Sequence, residues 1–184
     1  MVDRTVEEFG RLDVLVNNAG GTRLGPLDSI PSKAWDSAFD LNVRSAFLAT
    51  RAAGPHMRAV GGGAIVNISS GAGLTGVKGG AHYSSAKAAL QMLTRVTAAE
   101  WGPHGIRCNC VAVGLVASER AVAAWEVAGL SPAEMTADRP ARRPGRPIEV
   151  AYPVLFLVSD AASFVNGETL AVNGGPAMDG IDLP

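Results

Sequence analysis

The sequence predicts a doubly wound α/β fold, a parallel sheet between two helical layers (α/β/α), on two observations. Four short apolar runs, at residues 12–17, 64–69, 107–113 and 169–173, are rich in Val, Ile and Leu and do not alternate cleanly with polar residues. Strands buried on both faces read this way. The segments between them carry helical periodicity, and strand–helix–strand alternation implies right-handed crossovers in one parallel sheet.

In chain order, residues 1–10 read as the later part of an amphipathic helix and 12–17 as the first strand. A long helix follows over about 32–58, opened by Pro31-Ser32 and stopped by Gly61-Gly62-Gly63. The second strand, 64–69, leads to a helix from Tyr83 to about Trp101 that stops at Gly102-Pro103, and then to the strand 107–113. Pro147-Ile148-Glu149 opens a helix to about Val158, where Pro153 predicts a local kink, and 169–173 is the last strand. Residues 115–146 break the alternation: an amphipathic stretch is followed by Arg139-Pro140-Ala141-Arg142-Arg143-Pro144. They read either as a solvated excursion or as a lid beyond a strand's carboxyl end, where open α/β sheets bind ligands.

The 184 residues suffice for one domain, expected over 1–184. Apolar residues make up 47% and charged residues 18%, a globular composition. A net charge of −1 gives no electrostatic footprint for nucleic acid or an anionic membrane, so neither is an expected partner. The charged start Met1-Val2-Asp3-Arg4 lacks the apolar core of a secretory signal, and the longest apolar run is far below membrane-spanning length. Cys108 and Cys110 lack the companions of a zinc site and lie in an apolar run, so no metal is expected. Two buried, reduced thiols in a cytoplasmic protein are expected instead.

The sharpest local pattern is Tyr83-Ser84-Ser85-Ala86-Lys87. On a helix, positions i and i+4 share a face, and an ammonium beside a phenol favours the phenolate, the condition for a general acid/base at neutral pH. Alone the pattern is weak, because an exposed helical pair looks the same. Ser70 ends the run Ala64-Ile65-Val66-Asn67-Ile68-Ser69-Ser70, where a hydroxyl faces the ligand crevice and can hydrogen-bond a carbonyl oxygen. Asn42 falls inside a predicted helix, a poor place for Asn, which suggests a polar task such as holding a water against the backbone. Asn17-Asn18-Ala19-Gly20 closes the first strand with residues that permit close approach by a ligand, or forms a bare turn.

Together these residues carry a resemblance. Asn17-Asn18-Ala19-Gly20, Asn42, Asn67-Ile68-Ser69-Ser70 and Tyr83-x3-Lys87 occur in the order and spacing of the short-chain dehydrogenases/reductases. The tail from Phe156 to Gly167, with Gly174-Gly175, is similar to that family too. The resemblance implies a partial Rossmann-like sheet, NAD or NADP as cofactor, and an alcohol or ketone as substrate. It implies that Tyr83 moves the substrate proton while hydride passes to or from the nicotinamide, and that Lys87 favours the phenolate and holds the ribose. Ser70 would position the carbonyl and Asn42 would anchor a water. Asn18, Ala19, Gly20, Tyr83, Lys87, Gly114, Val116 and Ser118 would line the cofactor, with Ser118 in place of the usual threonine. Residues 115–146 become a substrate lid, and the helices near 32–58 and 83–101 would pair subunits into a homodimer or homotetramer.

The chain departs from the family's pattern in places. Val113-Gly114 replaces the usual Pro-Gly, which leaves that bend less rigid, and Pro153 replaces a usual Ala. No Gly-x3-Gly-x-Gly follows any predicted strand, so the pyrophosphate cradle and the strands around it are expected to be missing. Residues 12–17 would then be an exposed edge, and Met1 an internal methionine of a longer protein. Two alternatives stand beside the oxidoreductase. One is a non-catalytic truncated remnant serving as an interaction or scaffold subunit. The other, a sugar-nucleotide epimerase or dehydratase, needs a larger substrate domain than fits after Gly175.

Overall fold

A computed structural model of the chain describes residues 1–176. Its sheet has four parallel strands in sequential order, β1 (Val14–Asn17), β2 (Gly63–Ser70), β3 (Ile106–Val113) and β4 (Thr169–Val172). The helices are α1 (Val2–Phe9), α2 (Ser32–Phe39), α3 (Ser45–Ala59), α4 (Ala72–Thr75), α5 (Ala81–Trp101), α6 (Glu119–Ala128), α7 (Pro132–Met135) and α8 (Pro147–Val158). Each predicted strand is present with its ends displaced by a residue or two.

Side chains of consecutive strand residues point to opposite faces, and the two hydrophobic clusters follow that alternation. Leu15, Ile65 and Cys108 face one side, with Ala53 and Met57 of α3 and Ala98 of α5. Val66 and Val111 face the other side, against Leu157 of α8. This is the three-layer arrangement expected. Arg107 fixes α8 by donating to the end-of-helix carbonyls of Leu157 (2.7 Å) and Ser159 (3.1 Å).

Two expectations need correcting. The crossovers β1–β2 and β2–β3 run over the α3/α5 face, whereas β3–β4 takes the next step in the same direction over the α8 face. The third crossover therefore has the opposite hand, and not all three can be right-handed. Its connection, residues 114–168, is long enough to pass around the strand ends through α6 and α7 before α8. The helix expected over 32–58 is also not continuous: a π-helical turn, Asp40–Arg44, separates α2 from α3 and contains Asn42.

β1 lies at the sheet edge among the described residues, with Val14 and Val16 exposed and Leu15 buried. No helix of the described residues is long and apolar enough to cross a membrane. Both thiols are free and buried; burial pushes Cys108 up to about 12 and raises Cys110.

Candidate active site

The carboxyl ends of β1, β2 and β3 bring Asn18, Ser70 and Gly114 to one crevice, and α5 brings Tyr83 and Lys87 to it. Two cavities of about 730 and 960 Å³ open there. Gly20, Gly21, Ser70, Tyr83, Gly114 and Ser118 line both, so Ser70 and Tyr83 stand on a shared wall. The smaller cavity is also lined by Asn18, Lys87, Val116 and the apolar face of α8. The larger is lined by α4, α6 and the 115–146 segment. Ala19 lines neither.

Tyr83 and Lys87 share a helical face. The Lys87 ammonium lies 5.7 Å from the Tyr83 ring centroid and donates to the Ile68 carbonyl at 2.8 Å. Lys87 is buried, and no carboxylate among the described residues pairs with it. Burial lowers its pKa to about 8, because desolvation disfavours the charged form. A buried cation facing a cavity without a counter-charge is suited to hydroxyl or other oxygen acceptors of a ligand.

Asn42 is fully buried behind this wall, and its side chain braces the loop after β1. Its amide accepts from Gly21 N (3.0 Å) and donates to Gly21 O (2.9 Å) and Ala38 O (2.8 Å). Both of its N–H donors are thereby used on the backbone. Gly20 is required beside it: a Cβ there would stand 2.8 Å from both Asn42 Oδ1 and Lys87 Nζ. Gly114 is required for a similar reason, since a Cβ would stand 2.6 Å from Asn173 Cα. The Val113-Gly114 bend is tied to the neighbouring strands by hydrogen bonds from Gly71 N to Val113 O and from Gly114 N to Val172 O, each 2.9 Å. Ser118 caps α6 by accepting from Ala121 N at 3.2 Å, so its hydroxyl has a structural partner as well as a place on both cavities. Ser70 Oγ accepts from Ala72 N at 3.2 Å at the start of α4.

Several supporting residues escape sequence reasoning. Gln91 donates to Ser69 Oγ (3.0 Å) and Ser70 O (3.2 Å), and Ser69 Oγ donates to Lys87 O (2.9 Å). Asn67 links Asn17 to Thr94 across β2. The series Tyr83, Lys87, Gln91 at steps of four is a signal that can reveal Gln91, a polar residue on a face that must be buried. His82 is buried and its Nε2 lies 2.7 Å from Thr22 Oγ1, a contact that no local pattern announces.

A parallel α/β sheet with Ser, Tyr and Lys on the wall of its carboxyl-end crevice defines a class. Residues 1–176 match the family described as enoyl-(acyl carrier protein) reductase. The chain belongs to the short-chain dehydrogenase/reductase family and is an oxidoreductase by class. It is 42% identical to cyclopentanol dehydrogenase of Comamonas testosteroni, over 95% of this chain and 69% of that one. It is 43% identical to cis-4-hydroxycyclohexanecarboxylate dehydrogenase of Sinomonas cyclohexanicum, over 95% and 70%. Among solved structures, ElxO with NADP bound superposes with a TM-score of 0.90 at 33% identity, covering 94% of this chain and 70% of that one. A 7α-hydroxysteroid dehydrogenase complexed with NADH and 7-oxo glycochenodeoxycholic acid superposes at 0.88 and 34%, covering 97% and 69%.

Proposed function

We propose that the chain carries out proton transfer in an NAD(P)-dependent interconversion of a secondary alcohol and a ketone, with Tyr83 as general acid/base. The observation that carries this reading is the shared wall on which Ser70 and Tyr83 face both cavities, with the buried Lys87 ammonium beside the Tyr83 ring. The residues present fit a nicotinamide nucleotide. Gly20 leaves a seam that any side chain would close, and Lys87 offers an uncompensated cation to ribose hydroxyls. Asn18, Gly20, Tyr83, Lys87, Gly114, Val116 and Ser118 would hold it, without Ala19, which lines neither cavity. When bound, that group supplies the hydride acceptor for the alcohol or the hydride donor for the ketone.

In the oxidising direction the Tyr83 phenolate takes the hydroxyl proton as the carbinol carbon gives up its hydrogen with the bonding electron pair. Ser70 Oγ donates a hydrogen bond to the oxygen and holds the carbonyl in place as it forms. In the reducing direction Tyr83 returns the proton to the oxygen. Lys87 favours the phenolate by its charge. Asn42 acts as a positioning residue: by clamping Gly21 it fixes the loop that borders both cavities. A water held at Asn42, relaying the proton onward, completes the reading.

Residues 115–146 act as a lid over the larger cavity, to which they contribute Leu115, Ser118, Trp125 and Arg139. Exposed Phe47 and Leu48 on α3, with Met92 and Val96 on α5, suit these helices to pair subunits into a homodimer or homotetramer. The relatives named for cyclic alcohols make cyclohexanol and cyclohexanone the first substrates to test. NAD(P)H absorbance with each cofactor in turn is expected to show reversible turnover. Absence of turnover and of cofactor binding would reject the reading.

A further inference from the structure

The larger cavity is electrostatically one-sided. Among the described residues its lining includes Arg120, Arg139 and Arg143, and no Asp, Glu, Lys or His. Arg143 is already neutralised: its guanidinium donates to both Glu149 carboxylate oxygens, at 2.8 and 2.7 Å, and Glu149 is held down at about 2 by that contact first. Arg139 has only its neighbour Asp138, at 3.7 Å, beyond hydrogen-bonding distance. Arg120 has no carboxylate partner among the described residues. It stands in the first turn of α6, and its Nη2 reaches to 3.9 Å from where a Cβ on Gly21 would lie. Arg120 and the loosely paired Arg139 line a cavity to which no described carboxylate contributes; such guanidinium groups raise the local concentration of anions, and each can hold a carboxylate by two parallel hydrogen bonds. Leu24, Leu74, Val77, Leu115 and Trp125 give the wall an apolar part, beside the neutral polar side chains of Thr22, Thr75, Thr136 and Asn173 and the Ser70 and Tyr83 of the proton-transfer wall.

We infer that the substrate is a ketone or alcohol with an apolar body and a carboxylate, and that Arg120 and Arg139 receive the carboxylate while the reacting oxygen meets Ser70 and Tyr83. This rests on the oxidoreductase reading for its reacting end, while the anion site rests on the cavity's charge alone. A larger, one-signed cavity beyond the proton-transfer wall selects for a charge on the substrate's far end.

The test compares 4-oxocyclohexanecarboxylate with its methyl ester, a pair differing chiefly in charge. The untouched protein is expected to favour the acid at least tenfold in kcat/KM, a difference of about 1.4 kcal/mol. That preference should fall as salt rises. R120Q and R139Q are each expected to depress kcat/KM for the acid by about tenfold more than for the ester, and R120K to restore only part of the loss, since it keeps the charge without the paired hydrogen bonds. Calorimetric binding of the acid, measured without turnover, keeps the two readings separable. Binding that depends on Arg120 without turnover of either compound would sink the oxidoreductase reading and uphold the anion site. Equal turnover of acid and ester would overturn the anion site and leave the oxidoreductase standing. NADH and NADPH affinities are measured on R120Q as well. A loss there as large as the loss for the acid would assign Arg120 to the cofactor's phosphates and overturn the inference.

Discussion

The Lys87 ammonium stands 5.7 Å from the centroid of the Tyr83 ring, one helical turn along α5, in a buried position with no carboxylate among the described residues to offset it. Its charge therefore costs stability, and the sign of the pH dependence follows. The folded-state pKa, about 8, lies below the ordinary value of 10.5, so between those values the unfolded chain binds more protons than the folded one. Stability gained from this group is absent below about 8 and rises toward 10.5. Denaturant unfolding of wild type and K87M across that window is expected to show the wild-type curve climbing relative to the variant. The full climb is of order 3 kcal/mol. Parallel curves would mean that the lysine is not desolvated.

Gly20 has no room for a methyl group. G20A places a carbon 2.8 Å from both Asn42 Oδ1 and Lys87 Nζ, and one of them must move. A stability loss of about 1–3 kcal/mol is expected from the overpacking. NADH or NADPH fluorescence titration should show at least a tenfold weaker affinity. Unchanged affinity would remove Gly20 from the cofactor's path.

Asn42 tests bracing. N42A leaves Gly21 N–H, Gly21 C=O and Ala38 C=O without their side-chain partner, at a cost of about 2–4 kcal/mol by the usual penalty for stranded buried groups. Hydrogen exchange is expected to quicken first at Gly21, whose amide loses its acceptor. Protection at Gly21 equal to that of the wild type would show that the loop holds its shape unaided.

Much of this site is open to sequence reading because its parts repeat at fixed spacings. Tyr83 and Lys87 share a face by helical periodicity, and Ser70 ends a strand whose apolar run fixes its direction. The strands themselves announce their burial through unbroken runs of Val and Ile. Long-range relations stay hidden. Asn42 looks like a misplaced helical residue until the π-helical turn and Gly21 are brought together across 21 positions. The hand of the β3–β4 crossover depends on which face α8 covers, and α8 is apolar enough to suit either. The arginines of the larger cavity are scattered from Arg120 to Arg143, and only the fold shows which of them has a carboxylate partner.

Turnover by Y83F tests the proton-transfer role of Tyr83 most directly. Removing one hydroxyl from a half-buried ring leaves the fold intact and takes away the only group assigned to carry the substrate proton. With cyclohexanol or cyclohexanone and the preferred cofactor, kcat is expected to fall by roughly 10²–10⁴-fold, the range for losing a general acid/base, while cofactor affinity changes far less. A variant that keeps its kcat would contradict the assignment of Tyr83.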